Sequence, residues 1–187
     1  MDGCNGEGGR VNSFALVDYL EGPLGTFVNG LRRELVPKCK ARAHVTILPP
    51  RPLSCSAGAA WRELRQDLEG VEPFEIELEE VKLFPKSDVI YISIGAGYRK
   101  LEDLHRKLAH GYCQFAEAWQ YHPHITLAQQ LDPAGVAASL DLAVHRWDEF
   151  GHPRRFVVEH LTFVQNTWEN DWVDLERYDL HSLAGQP

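Results

Sequence analysis

Two tetrapeptides decide most of what this chain can fold into. His44-Val45-Thr46-Ile47 and His124-Ile125-Thr126-Leu127 share one form: His, any residue, Thr, an apolar residue. Each falls in the second strand of a unit that reads strand, helix, strand, helix, strand. In the first unit residues 13–20 form an apolar run stopped by Gly22-Pro23. Leu24, Phe27, Val28, Leu31 and Leu35 then recur at helical spacing, with Arg32, Arg33 and Glu34 between them and Pro37 closing the run. Residues 43–48 read as a strand ended by Pro49-Pro50. Ala60, Trp61, Leu64 and Leu68 line a second helix closed by Gly70, and residues 74–84 alternate apolar and charged side chains. The second unit repeats the order: a strand at 89–94, a turn at Gly95 to Gly97, and a helix carrying Leu101, Leu104, Leu108, Tyr112 and Phe115. A strand at 124–127, a helix opened by Pro133 and carrying Val136, Leu140, Val144 and Trp147, and strands at 155–164 and 172–180 follow.

A chain that repeats itself must be read as a duplication before a fold is assigned. Two copies, each with an apolar sheet face to cover, predict an α+β fold. The expected form is a bilobal, pseudo-twofold duplication, with two antiparallel or mixed sheets facing a central cleft and helices outside. The expected organisation is a disordered Gly-rich leader at 1–12, one domain over 13–182 with lobes of about 13–86 and 87–182, and a tail at 183–187. A chain of 187 residues buries enough apolar surface to need neither disulfides nor a structural metal.

Charge narrows the partner. A formal net charge of −8 excludes a long nucleic acid held by many phosphates, because such binding needs Lys and Arg to displace counterions. Arg42, Arg51, Arg99, Arg154 and Arg155 can still build a positive pocket for one or two phosphates, against a default of solvated surface charge. Four cysteines without CxxC spacing, no signal-like start and no apolar run of spanning length read as a reduced, cytoplasmic, monomeric protein that enters no membrane.

Within each motif His and Thr are two apart, so on a strand both point to one face and the intervening Val45 or Ile125 points to the other. Two such strands side by side give two imidazoles and two hydroxyls. Phosphodiester chemistry needs one group to take a proton from the attacking oxygen and another to protonate the leaving oxygen. Histidine keeps both protonation states available near neutrality. Thr46 and Thr126 can donate to the non-bridging oxygens, where charge accumulates. A lone strand histidine is usually structural; its recurrence at matching places in both units favours catalysis.

The motifs His44-Val-Thr-Ile47 and Pro123-His-Ile-Thr-Leu-Ala128, with the ending Trp172-Val-Asp-Leu-Glu-Arg-Tyr-Asp-Leu180, resemble the two-histidine (2H) phosphoesterases. The branch is LigT-like, labelled 2′-5′ RNA ligase or RNA 2′,3′-cyclic phosphodiesterase. The resemblance runs from about Phe14 to Leu180. It implies a bilobal fold with the site between the lobes, no cofactor, and hydrolysis of 2′,3′-cyclic or 2′-5′ phosphodiesters of nucleotides or RNA ends. By the same analogy His124 is the base and His44 the acid. Many LigT-like sequences carry an Arg shortly after the second motif, where this chain has Ala128-Gln129-Gln130. Substrate choice is therefore open, and Arg51 is the candidate for a compensating phosphate contact.

Tyr121, three residues before His124, is the preferred base-stacking candidate, with Phe84 and Trp168 behind it and core packing as the competing reading. His122-Pro123-His124 lacks a third and fourth ligand of recognised spacing, so no metal is expected. The alternative to an enzyme is a non-catalytic module that binds nucleotides or RNA ends in the same fold; a titrating pair is a poor choice for that task, where Arg or Lys serves better.

Overall fold

The computed structural model describes residues 9–182. In chain order the elements are β1 (Arg10–Tyr19), α1 (Gly22–Leu35), β2 (His44–Arg51), α2 (Ala57–Leu68), β3 (Phe74–Phe84), β4 (Val89–Ile94) and α3 (Tyr98–Leu108). After a 3-10 turn at Gly111–Cys113 come β5 (His124–Ala128), α4 (Val136–Asp148), β6 (Arg155–Val158), β7 (His160–Thr167) and β8 (Trp172–Asp179). The strands form two four-stranded sheets, ordered β2-β1-β7-β8 and β5-β4-β3-β6. Every pairing is antiparallel, which resolves the expected choice of antiparallel or mixed.

The lobes are not the two halves of the sequence, so the expected boundary near residue 86 is corrected. β3 closes the first unit yet pairs with β4, Phe84 opposite Val89. β7 returns to the first sheet, Leu16 of β1 opposite Phe163. One lobe is therefore β1 and β2 with β7 and β8, and the other is β3 to β6. The single strand expected at 155–164 breaks at Glu159, where the chain crosses between sheets. Periodicity reports that a segment has one buried face, not which sheet it joins.

Smaller differences have local causes. β1 starts at Arg10, inside the expected leader; residues 1–8 and the tail at 183–187 lie outside the described residues. β2 runs through Pro49-Pro50 because it is an edge strand, where a missing N–H costs little, and the register with β1 shifts there. α3 stops at Leu108, leaving Tyr112 and Phe115 exposed beyond it. Gly97 caps α3 at φ +86°, and a side chain there would collide with the Glu75 carbonyl and Ile76.

The faces of β2 and β5 opposite the His and Thr side chains hold the core. Val45, Ile47 and Ile125 are fully buried, Leu127 nearly so. Each such side chain contributes roughly 1.5–3 kcal/mol on burial, enough to fix the register and with it the face on which the histidines emerge. α1 packs on β5 and α3 on β2, so each helix braces the other lobe's motif strand. No helix among the described residues is long and apolar enough to cross a membrane.

Candidate functional site

β2 and β5 are the edges of their sheets, and they lie against each other. His44, Thr46, His124 and Thr126 are half-buried on them. The two imidazoles are held alike: His44 Nδ1 is 2.7 Å from the Arg42 carbonyl and His124 Nδ1 2.6 Å from the His122 carbonyl, each two residues back. A carbonyl only accepts, so Nδ1 carries a proton and donates in both rings. Nε2 is then the nitrogen that gains or loses a proton.

An edge strand leaves carbonyls without a ladder partner. Here side chains from the opposite lobe supply the donors. Arg32 of α1 donates through one Nη to Thr126 O (3.0 Å). Tyr121 donates its hydroxyl to Thr46 O (2.7 Å), and His105 Nδ1 is 2.8 Å from Ile47 O. These reciprocal contacts join the motif strands without a backbone ladder.

The surroundings of the two rings differ. His44 meets the edge of Tyr19, over whose face the Arg42 guanidinium lies at 3.6 Å. The Tyr19 hydroxyl donates to Asp174 (2.6 Å), which also pairs with Arg42. Burial, with Arg32, His124 and Arg42 as nearby cations, pushes the His44 pKa down to about 4 despite the opposing bond to the Arg42 carbonyl. His124 stands edge-on to Phe84 and Tyr91, themselves stacked at 3.9 Å, with His122 alongside. Burial lowers its pKa as well, and His122 adds to the effect against the bond to the His122 carbonyl. The charged form of each histidine at the junction is thus disfavoured.

Two sequence candidates are corrected. Arg51 is 2% exposed, and its guanidinium is spent on the Pro49 and Cys113 carbonyls and on Glu117. Glu117 also lies 3.6 Å from His105, so Arg51 supports the brace behind β2 and has no free face for a phosphate. Tyr121 stacks on His105 at 3.9 Å and 5° and commits its hydroxyl to Thr46 O, which leaves it a bracing part in place of a base platform. Among the other arginines, Arg154 is taken by Trp147 and Arg155 pairs with Glu75. Trp168 is 80% exposed in the turn before β8. Among the described residues no group of three or more His, Cys, Asp or Glu is arranged to hold a metal ion.

The sequence reading missed Tyr19, Tyr91, Asp174 and Arg32. The first three become neighbours only through strand pairing. Arg32 was legible: it follows Val28 by four residues, inside the apolar stripe of α1, and is 6% exposed. A cavity of about 330 Å³ opens beside Tyr19 and Arg42, lined also by Thr162, Asp174, Glu176 and Arg177.

Comparison with known proteins places these features in context. The model of the 2′-5′ RNA ligase superfamily matches residues 21–168. OB1230 of Oceanobacillus iheyensis, assigned by name to the phosphoesterases, is 37% identical over 71 residues, spanning 37% of this chain and 41% of that protein. A crystal structure of E. coli LigT complexed with 3′-AMP superposes with a TM-score of 0.63 at 16% identity, covering 94% of this chain and all of that one. A crystal structure of a phosphoesterase gives 0.61 at 16% identity, again over 94% of this chain and all of the other. At that identity the likeness is one of fold.

Proposed function

This chain belongs to the 2′-5′ RNA ligase superfamily, and from that premise we propose that it is a metal-independent phosphodiesterase in which His44 and His124 share the proton transfers. The substrate is a 2′,3′-cyclic phosphate or a 2′-5′ phosphodiester of a nucleotide or RNA end. The observation that carries this reading is the matched tie of each Nδ1 to the carbonyl two residues back, which leaves two Nε2 atoms on adjacent strands free to exchange protons.

For a cyclic phosphate the balance is simple. One Nε2 takes a proton from water as its oxygen bonds phosphorus. The other Nε2–H gives a proton to the ribose oxygen as its P–O bond breaks, leaving a phosphomonoester. A bound phosphate anion favours the protonated form of the acid, offsetting the desolvation that lowers its pKa. Thr46 and Thr126 donate to the non-bridging oxygens. The cavity beside Tyr19 gives room for a nucleoside. A short substrate also suits the net charge of −8 and a soluble, cytoplasmic monomer.

The test is turnover on 2′,3′-cyclic nucleotides and 2′-5′ dinucleotides with and without EDTA. Product formation unaffected by the chelator supports the proposal. Tight binding with no product would identify a binding module, and turnover that EDTA abolishes would identify a metal-dependent hydrolase.

A further inference from the structure

On the His124 lobe the wall of the junction continues outward as aromatic and basic side chains. Lys82 stands opposite Tyr91 in the β3–β4 ladder, and Phe84, two residues on, shares its face. Phe84 and Tyr91 stand edge-on to His122 as well as to His124, with every ring centroid within 5.8 Å of its neighbour. The Tyr98 hydroxyl, 3.2 Å from His122 Nδ1, holds that outer ring in place. Past Phe84 the β3–β4 turn carries Lys86, whose Nζ lies 5.7 Å over the ring of Trp119. Trp119 belongs to the segment between α3 and β5 that leads into His122 and His124, and it is 68% exposed. Among the described residues no carboxylate pairs with Lys86. Lys82 has Glu80 at 3.3 Å, but both side chains are solvated, so a phosphate displaces that pair at little cost. An open indole and two available cations thus lie on the same wall as one of the two histidines that face the phosphorus.

Resting on the phosphodiesterase reading above, we propose that Trp119, Lys86 and Lys82 form a second nucleotide subsite, which selects a linear phosphodiester with a nucleoside on each side of the phosphorus over a 2′,3′-cyclic phosphate. The first nucleoside occupies the cavity beside Tyr19 on the His44 lobe. The second crosses the junction along Phe84 and Tyr91, its base stacked on the Trp119 indole and its own next phosphate between Lys86 and Lys82. The water oxygen bonds phosphorus as the P–O bond to the second nucleoside breaks, and that departing oxygen takes the proton. A cyclic phosphate carries its nucleoside on one side of the phosphorus and leaves this wall unused. Stacking on a π-face accepts any base, so the subsite reads chain length and not base identity. Two lysines suit a substrate a few nucleotides long, in keeping with the net charge of −8.

The test is calorimetric binding to the full-length His44→Ala protein, which keeps the proposed subsite intact without turnover. The probes are a nucleoside 2′-phosphate, a 2′-5′-linked dinucleotide and a 2′-5′-linked trinucleotide. The dinucleotide should bind about 10-fold tighter than the nucleoside 2′-phosphate, a gain that Trp119→Ala removes. The trinucleotide should bind tighter again at low salt, and Lys82→Gln with Lys86→Gln should abolish both that second gain and its salt dependence. In the parent enzyme Trp119→Ala should lower kcat/KM for the dinucleotide about 10-fold relative to the cyclic nucleotide. A dinucleotide that binds no tighter than the nucleoside 2′-phosphate, or a gain that survives Trp119→Ala, overturns the subsite. Because the affinities need no turnover, a parent protein that hydrolyses nothing on the panel defeats the phosphodiesterase reading and leaves the binding result standing.

Discussion

The half-sites on β2 and β5 carry the same motif and the same Nδ1 tie, yet one ring stands among charges and the other among aromatic edges. His44 meets the edge of Tyr19, whose hydroxyl is tied to Asp174, and lies in the field of Arg32 and Arg42; His124 is framed by Phe84, Tyr91 and His122. Duplication accounts for what is shared, since a His on an edge strand with its N–H given to the carbonyl two residues back is a property of the repeat. Divergence accounts for the rest. A symmetric site would give two groups of equal acidity, whereas general acid–base chemistry needs one group that holds its proton and one that lacks it.

The comparison breaks first at the rings themselves. His44→Ala and His124→Ala should each reduce kcat/KM by about 10²- to 10⁴-fold in single-turnover assays on a cyclic nucleotide. A variant that keeps near-parental activity would reduce its half-site to scaffolding. Thr46→Val and Thr126→Val, which remove the hydroxyl and keep the shape, should cost about 10²-fold each in kcat. Unequal losses would show on which lobe the phosphoryl charge rests.

The bracing differs as well, and stability measurements sharpen that contrast. Arg51→Met strands Glu117 behind β2 and should lower unfolding free energy in urea by about 3 kcal/mol, leaving KM of the folded enzyme unchanged. A raised KM would return Arg51 to the phosphate site. Beneath the β2 lobe, burial pushes the carboxyl of Asp18 up to about 8, aided by Glu159 and Glu21 and opposed by the His160 N–H. Its folded pKa exceeds the unfolded value, so its contribution is full below about pH 4 and is lost as pH rises toward 8. His44 has the opposite sign: the unfolded chain binds its proton more readily, so stability rises between about pH 4 and 6.5. Above pH 6.5 only the Asp18 slope remains, and unfolding free energy should fall by on the order of 2 kcal/mol up to pH 8, a fall that Asp18→Asn removes. A parent and variant with parallel profiles would mean the carboxyl is ionised in the fold. Smallest, Tyr121→Phe leaves Thr46 O without its donor and should cost about 1 kcal/mol in the same assay.

Much of this was legible in the residues. The 2- and 3.6-residue periodicities gave the elements nearly to their ends, and the repeated His-x-Thr gave the two edge strands. What stayed hidden was set by pairing between distant segments. Nothing local in residues 74–84 says that β3 joins the second sheet, because a strand with one apolar face suits either. Arg51 and Tyr121 stand beside the motifs in sequence, yet their side chains turn away to brace β2. Arg32 stands in sequence with Arg33 and Glu34 between the apolar positions of α1, although its spacing from Val28 puts it in the buried stripe.

The central claim, that both imidazoles work on one phosphorus, is tested most directly by a crystal structure with a nucleoside vanadate, whose five-coordinate metal stands in for phosphorus in the transition state. The account predicts His44 Nε2 and His124 Nε2 each within about 3 Å of oxygens on the same vanadium, on opposite sides. Vanadate held by one histidine alone, or bound at the Tyr19 cavity out of reach of both, would contradict it.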